Sequence, residues 1–257
     1  MIGFQILERI RAVSPQTVAQ FKTLPVAIVS DTLSRMFSAN ANLRPMHNGH
    51  PMVGPALTVK TRPGDNLMVH KAIQMAQAGD VIVVDGGGDL TNALIGEIMS
   101  SYAASKQIAG MVINGSVRDA GFLRTQDFGV FAAGVTHRGP YKDGPGEINV
   151  PIALGGMVIE PGDLVMGDED GVLCVPFDQT LWVYQAAKDK QNQESDILKK
   201  NPCQRLPSDL DRRGLGPKVE ELKIQNMNPP PECFVNSRLG LGLGLNFPKG
   251  SPSCTQH

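Results

Sequence analysis

Gly96-Glu97-Ile98-Met99-Ser100-Ser101-Tyr102-Ala103-Ala104-Ser105-Lys106-Gln107-Ile108-Ala109-Gly110-Met111-Val112-Ile113-Asn114-Gly115-Ser116-Val117-Arg118-Asp119 is the stretch from which the fold of this chain is read. Its first half carries Ile98, Met99, Tyr102 and Ala103 at helical spacing, so a helix is expected to open at Gly96-Glu97 and to be ended by Gly110. Met111-Val112-Ile113 is a short unbroken apolar run, the pattern of a buried strand. Asn114-Gly115 is expected to turn the chain, and Arg118-Asp119 follows. A helix N-terminus and a strand C-terminus then lie side by side. The first offers unpaired backbone N–H groups to an anion. The second offers a guanidinium for a carboxylate and a carboxylate for a cation. These are the parts of a site for a small carboxylic acid and a divalent metal.

On the N-terminal side, Ile2 to Phe21 reads as one or two amphipathic helices broken at Ser14-Pro15, and Pro25 opens another helix. Ser30 and Asp31 are polar inside its apolar run; they read as a solvated flank, or as a border of the site. His47 and His50 lie beside Asn48-Gly49 and read as a surface turn rather than a metal pair. Met52 to Thr61 is an expected strand with a bend at Gly54-Pro55. Arg62-Pro63-Gly64-Asp65 is a turn and cap, followed by a helix over Asn66 to Gln77. His70, between Met68 and Ile73, reads as a partly buried packing histidine, with a catalytic role as the alternative. Val81 to Val84 is a buried strand. The Asp85-Gly86-Gly87-Gly88-Asp89 loop after it lacks a following Gly-Lys-Ser/Thr, and its aspartates oppose phosphate, so nucleotide binding is not expected. That loop instead lets backbone approach a pocket beside Gly96, with Asn92, at the end of the loop, expected to line that pocket.

On the C-terminal side, Ala120 to Thr125 is a short helical segment and Gly129 to Ala132 a strand. The Gly/Pro-rich loop from Gly134 to Glu147, with His137 and Arg138, is a rim, a lid or a subunit contact. Ile148 to Val175 alternates short β runs with turns at Gly155-Gly156, Pro161-Gly162-Asp163 and Asp168-Glu169-Asp170-Gly171. Cys174 reads as a buried strand thiol. Phe177-Asp178 begins a long helix running to Lys199. Beyond Asn201, prolines and a Leu-Gly repeat replace any core pattern, so two segments are expected: a folded domain over 1–200 and a flexible Pro/Gly-rich tail over 201–257.

Composition narrows the function. The chain has 257 residues, a net charge of −1 and 5% aromatics, which gives no basic footprint and no base-stacking platform for nucleic acid. No apolar run reaches the ~20 residues that span a bilayer, and the N-terminus lacks a signal-peptide core, so a cytoplasmic protein without a membrane partner is expected. The four cysteines show no Cys-x-x-Cys spacing.

The Gly96-Glu97 pair, roughly twenty residues and then Arg118-Asp119 resemble the signature of the 4-hydroxy-4-methyl-2-oxoglutarate aldolase family, which includes the regulators of ribonuclease activity A. The likeness extends to Val53-Gly54-Pro55-Ala56, Pro63-Gly64-Asp65-Asn66, His70-Lys71-Ala72, the run Ala78 to Asp85, Gly134-Val135, Pro140 and Pro161-Gly162-Asp163, covering about residues 20 to 200. It implies a single α/β domain of the layered β/β/α swivelling type, assembled as a homotrimer or homohexamer with its site near a subunit interface. It also implies cleavage of 4-hydroxy-2-oxo acids and decarboxylation of oxaloacetate. In the resembled family a glutamate of the long C-terminal helix reaches the metal shell of the adjacent subunit; Glu194 stands at that place here.

No Ser/His/Asp arrangement is visible, and no lysine is placed for a Schiff base. The chemistry expected is metal-assisted carbon–carbon cleavage. A 2-oxo acid would set its carboxylate against Gly96, the amides of Glu97, Ile98 and Met99, and the Arg118 guanidinium. Asp119, largely through waters, would hold Mg²⁺ or Mn²⁺. Glu97, directly or through a water, would take the proton of the 4-hydroxyl. The alternative from another class is a non-catalytic regulator that binds and inhibits an endoribonuclease.

Overall fold

A computed structural model of the chain describes residues 3–200. The expected tail over 201–257 lies outside the described residues. The chain opens with β1 (Phe4–Ile6), then α1 (Pro15–Phe21), α2 (Val26–Thr32) and the short β2 (Arg44–Pro45). The centre is β3 (Met52–Thr61), α3 (Leu67–Met75), β4 (Val81–Asp85), β5 (Ala93–Ile95), α4 (Glu97–Ser105), β6 (Gly110–Val117), α5 (Ala120–Leu123) and β7 (Gly129–Val135). Then come β8 (Gly146–Ile148), β9 (Ile152–Leu154), β10 (Met157–Ile159), β11 (Leu164–Asp168) and β12 (Gly171–Val175). A 3₁₀ turn (Phe177–Gln179) leads into α6 (Thr180–Lys200).

The strands β3, β4, β6 and β7 lie side by side and run parallel. Each crossover steps the same way along the sheet, and right-handed crossovers of that kind place their helices on one face. Accordingly Met68, Val69 and Ile73 of α3, Ala103 of α4 and Leu123 of α5 share one core with Ile82, Val84, Met111 and Ile113. The alternate residues Val81, Val83 and Val112 point the other way, where no helix is available. They meet Ile152, Leu154, Met157, Ile159, Val165, Val172 and Cys174 of a second β layer. That layer is itself two-faced. Leu164, Met166, Leu173 and Val175 turn outward and pack on Phe21, Val29, Val183 and Ala187 from α1, α2 and α6. The period-2 alternation of β4, β11 and β12 thus builds the layered β/β/α arrangement, with a further helical layer on the outside. Val81 to Val84 are each 0% exposed, and burial of each contributes about 1.5–3 kcal/mol.

Several expectations are corrected. Residues 4–14 form β1 and an extended strap rather than helices. Arg9 pairs with Asp80 at 2.7 Å and Arg11 with Glu160 at 2.5 Å. The Leu7 and Val13 amides donate to the carbonyls of Ile148 and Gly162. These long-range partners outweigh a weak local helical pattern. Gly54-Pro55 is not a bend. It is the place where β3 passes from pairing with β11 (Met52–Pro55) to pairing with β4 (from Ala56). A Cβ at Gly54 would lie 2.1 Å from the Gly79 carbonyl oxygen, so only glycine permits that handover. Asn114-Gly115 does not turn the chain; both lie inside β6, where the register against β7 shifts between Ile113 and Ser116. His47 is not on a surface turn. It is 6% exposed, with Nδ1 near the Val130 backbone and Nε2 2.8 Å from the His50 carbonyl oxygen. Cys174 is the expected buried strand thiol. No described helix is long and apolar enough to cross a membrane.

Three Gly-Asp turns hold the layers together. Asp65, Asp80 and Asp163 are 0%, 2% and 3% exposed. Asp65 accepts the amides of Leu67, Asp143 and Gly144 and pairs with Arg62. Asp80 accepts Arg9 and the Gln77 amide. Asp163 accepts the Glu160 and Phe177 amides and a 3.3 Å contact from Arg11. A buried carboxylate is tolerated because these donors replace its water.

Candidate active site

The site forms where β5 and β6 end. These strands pair in parallel, with Ala93 opposite Ser116 and Ile95 opposite Val117. The residues that follow each strand are therefore neighbours, although far apart in sequence. The Arg118 amide donates to the Ile95 carbonyl at 3.0 Å. Gly96 then starts α4, and Asp119 starts α5 in a left-handed conformation with φ 57°.

Gly96 is held against the Arg118-Asp119 pair. A Cβ there would lie 2.4 Å from Asp119 Oδ2 and 2.8 Å from Arg118 Cγ. No side chain fits, which gives the Gly-Glu pair its physical meaning. Asp119 Oδ2 accepts the Glu97 amide at 2.9 Å and lies 3.7 Å from Arg118 Nε. Asp119 thus caps α4 from outside, at the end where the helix favours negative charge. One expectation changes: the Glu97 amide is already taken and is not free for a substrate carboxylate. The amides of Ile98 and Met99, also in the first turn, have no intrahelical acceptor. Among the described residues, Asp119 Oδ1 and the terminal nitrogens of Arg118 make no hydrogen bond.

A cavity of about 150 Å³ opens beside Arg118, lined by Asn66, His70, Leu94, Met99 and Lys142 among others. A second concavity of about 300 Å³ lies on the Asp119 side, with Thr136 and His137. Arg118 borders both. The loop from Gly134 to Glu147 is the rim of both. It is held by Asp65, by the Tyr141 amide on the Gly64 carbonyl at 2.8 Å, and by Asn92 Nδ2 on the Gly139 carbonyl at 2.5 Å. Asn92 therefore buttresses the rim and does not line the cavity.

Two lining residues are not among the expected site residues: Asn66 reads in the sequence only as part of a helix start, and His70 chiefly as packing. Asn66, 2% exposed, donates Nδ2 to the Leu94 carbonyl at 2.8 Å, which leaves its buried Oδ1 without a partner. An acceptor left so inside a cavity suits a donor supplied by an occupant or a water. His70, one turn on, lines the same cavity rather than serving only as packing. Burial, and then the charge of Lys142, pull its pKa below the ordinary 6.5. The Asn66/His70 spacing of four on one helix was the available signal.

Glu97 is exposed and lines neither cavity; its carboxylate and that of Asp119 stem from adjacent helix starts. Among the described residues no group of three or more His, Cys, Asp or Glu is assembled. A donor set of two hard carboxylates fits an ion that keeps most of its waters, such as Mg²⁺ or Mn²⁺, and not a closed zinc cage. Glu194 is elsewhere in the chain. It lies on α6, 4.0 Å from Lys190, which also bonds Asp31 on α2. Ser30 bonds Ser38, and neither Ser30 nor Asp31 lines the cavities at Arg118.

The domain is a layered α/β fold in which Gly96-Glu97 and Arg118-Asp119 are brought together at the ends of two paired strands. The chain belongs to the RraA-like (Aldolase/RraA) family, whose model matches residues 26–174. A Halalkalibacterium halodurans protein, provisionally named a 4-hydroxy-4-methyl-2-oxoglutarate aldolase, is 42% identical over 174 residues, 68% of this chain and 83% of that protein. The RNA-processing inhibitor RraA from Thermus thermophilus is similar at 33% identity and TM-score 0.54, over 59% of this chain and 92% of its own. A Streptomyces coelicolor structure, described as an unusual member of the RNase ES inhibitor RraA family, has TM-score 0.66 at 25% identity, over 73% of this chain and 98% of its own.

Proposed function

We propose that the chain is a divalent-metal-dependent pyruvate aldolase that cleaves 4-hydroxy-4-methyl-2-oxoglutarate-type acids and also decarboxylates oxaloacetate. The observation that carries this reading is the convergence of the Arg118 and Asp119 side chains and the Glu97 backbone amide around a glycine that admits no side chain. The aldolase name of the relative at 42% identity supports it.

Arg118 presents free terminal nitrogens for bidentate capture of the C1 carboxylate, and the Ile98 and Met99 amides add two donors. Asp119, fixed through Oδ2 by the Glu97 amide, keeps Oδ1 for a cation. Mg²⁺ or Mn²⁺, when bound there, supplies Lewis-acid stabilisation of negative charge on the 2-oxo oxygen. Glu97, directly or through a water, takes the proton of the 4-hydroxyl. The C3–C4 bond then breaks, C4 becomes a carbonyl, and the electron pair passes to the C2–C3 unit to give pyruvate enolate. Protonation at C3 completes pyruvate. With oxaloacetate the same bond breaks, CO₂ leaves, and no hydroxyl proton need be removed.

The assembly that suits this reading is a homotrimer or homohexamer. Ile98 and Tyr102 on α4, beside the site, are 80% and 51% exposed, which fits an adjacent subunit there. Glu194 of that neighbour would complete the metal surroundings. Arg118→Lys is the test: it retains the charge and loses the fork. Pyruvate release, coupled to lactate dehydrogenase, should fall at least about 100-fold in kcat/KM. A variant with wild-type rate would remove Arg118 from the reaction. The second reading, inhibition of an endoribonuclease by contact, is favoured by the two RraA structures. It predicts that an endoribonuclease slows in the presence of this protein and that no pyruvate appears.

A further inference from the structure

Residues 7–12 of the strap and, from the body of the domain, Leu57, Met75, Gln77, Asp80 and Asn149 line a cavity of about 380 Å³. Small-molecule pockets run from roughly 300 to 1,000 Å³. The cavity shares no residue with either space at Arg118. It lies at the other end of the sheet: Asp80 immediately precedes β4, whereas Arg118 follows β6, which runs parallel to β4. The proposed reaction makes no use of it.

Asn149 gives this cavity its chemistry. It follows β8 in a left-handed conformation, φ 58°, and is 7% exposed. Its backbone amide donates to the Thr58 carbonyl at 2.9 Å, and its Nδ2 donates to the Leu7 carbonyl at 2.8 Å. The acceptor at Leu7 decides which end of the side chain is nitrogen. Oδ1 is then buried in the cavity wall without a partner. Among the described residues one other buried side-chain atom stands so, Asn66 Oδ1 in the cavity beside Arg118. A buried acceptor calls for a donor. The surrounding charges say which kind. Arg9 is opposed by Asp80, and Arg11 by Glu160, Asp163 and Asp178. Glu8, exposed on the strap, makes no ion pair among the described residues. The charge left over is negative, the buried group left over is an acceptor, and Leu57 and Met75 are apolar. We infer that this cavity is a second small-molecule site, which takes a protonated amine: N–H donors for Asn149 Oδ1, positive charge toward Glu8, and a short apolar body against Leu57 and Met75. The inference is independent of the aldolase reading.

The experiment titrates n-butylamine, protonated at neutral pH, against the full-length protein and follows the ligand by saturation-transfer NMR. Tetramethylammonium (a cation without N–H donors) and butyrate (an anion of similar size) are the comparisons. Butylamine should saturate in the millimolar range and bind at least about fivefold more tightly than either, because only it supplies both charge and donors. Asn149→Gly keeps the left-handed backbone and deletes Oδ1; it should abolish saturable binding. Glu8→Gln, an exposed change that leaves the fold alone, should weaken butylamine by about two- to fivefold, the size of a solvated charge pair. A rise in melting temperature with butylamine should accompany binding in the wild type and be lost in Asn149→Gly. A response to butylamine that never saturates means that water alone serves Oδ1, and it overturns the inference. Equal binding of tetramethylammonium or butyrate overturns it as well, and so does unchanged affinity in either variant. Glu8→Gln keeps the test decisive if Asn149→Gly, which also loses its bond to Leu7, does not fold.

Discussion

Single atoms decide whether this site exists. A methyl group at residue 96 collides with Asp119 Oδ2 and Arg118 Cγ, so Gly96→Ala must push the Arg-Asp pair out of place. The expected result is a loss of at least about 100-fold in activity, since misplacement on the order of 1 Å is costly in catalysis. The fold should survive, because the clash lies at the mouth and not in the core; thermal melting beside the assay separates the two. His70 supplies a second residue-scale prediction. Burial and the Lys142 charge hold its folded pKa below 6.5. The sign follows: as pH falls below 6.5 the unfolded chain binds a proton that the folded chain refuses, so stability is lost toward acid. NMR titration of the imidazole should find the low value, and Lys142→Met should move it part of the way back up. An unshifted value in the wild type would contradict the placement of His70 in the cavity wall. Neither Asn66 nor His70 was legible as a site residue, because the bare sequence does not say which face of a helix looks at a cavity and which at a core.

At the scale of elements, alternation and punctuation were readable and long-range partners were not. The four valine and isoleucine positions of β4 are buried on both faces, as an unbroken apolar run requires. The helix starting at Glu97 and the buried strand through Met111, Val112 and Ile113 follow from local pattern. Gly110 does not end the helix, however: α4 closes at Ser105, and Gly110 already belongs to β6, where a Cβ would meet Met52 and the Gly129 carbonyl. The strap of residues 7–13 does not. Its arginines are held by Asp80 and Asp163, which lie 71 and 152 positions away, and no local window contains those partners. Asn114-Gly115 failed as a turn for a similar reason. Asn114 donates to Asp85 Oδ1 at 3.2 Å, and its carbonyl accepts the amides of Gly86 and Gly88, so neighbouring β4 and its loop keep it in the sheet. The docking of α6 gives a test at this scale. Lys190 bridges to Asp31 on α2, and Arg35 is 2.7 Å from the same carboxylate. The hydrogen bond from Lys190 chiefly, with the two cationic charges, holds the Asp31 pKa below its ordinary 3.8. Its contribution is present above pH 3.8 and is lost as pH falls through the lower folded value. Asp31→Asn should therefore cost under about 1 kcal/mol at pH 7, and the difference should vanish in acid denaturation series below that range. A cost of several kcal/mol would mean that α6 depends on this bridge more than its exposure allows.

Over the described residues the four parallel strands β3, β4, β6 and β7 carry their crossover helices on one face, and a second β layer covers the other. That logic was partly legible. Alternating β runs after Ile148 announced extra strands, but only the two-faced burial of β11 and β12 shows that they form a middle layer. Burial also raises the Cys174 thiol well above its ordinary 9.0, and the nearby Asp163 carboxylate pushes it the same way. Above pH 9.0 the unfolded chain loses this proton and the folded chain keeps it, so stability falls as pH rises. Alkaline unfolding of Cys174→Val should lack that component of the slope. Assembly belongs to this scale as well. If Glu194 completes a neighbour's site, light scattering should find a trimer or hexamer, and Glu194→Gln should lower activity without dissociating it. Under the proposed function, Glu97, Arg118 and Asp119 carry out metal-dependent carbon–carbon cleavage. The direct measurement is pyruvate release from 4-hydroxy-4-methyl-2-oxoglutarate and from oxaloacetate with Mg²⁺, with EDTA, and with Asp119→Asn. Turnover in Mg²⁺ that disappears both in EDTA and in the variant is the predicted result. A folded protein that releases no pyruvate from either acid, or releases it equally in EDTA, would contradict the claim.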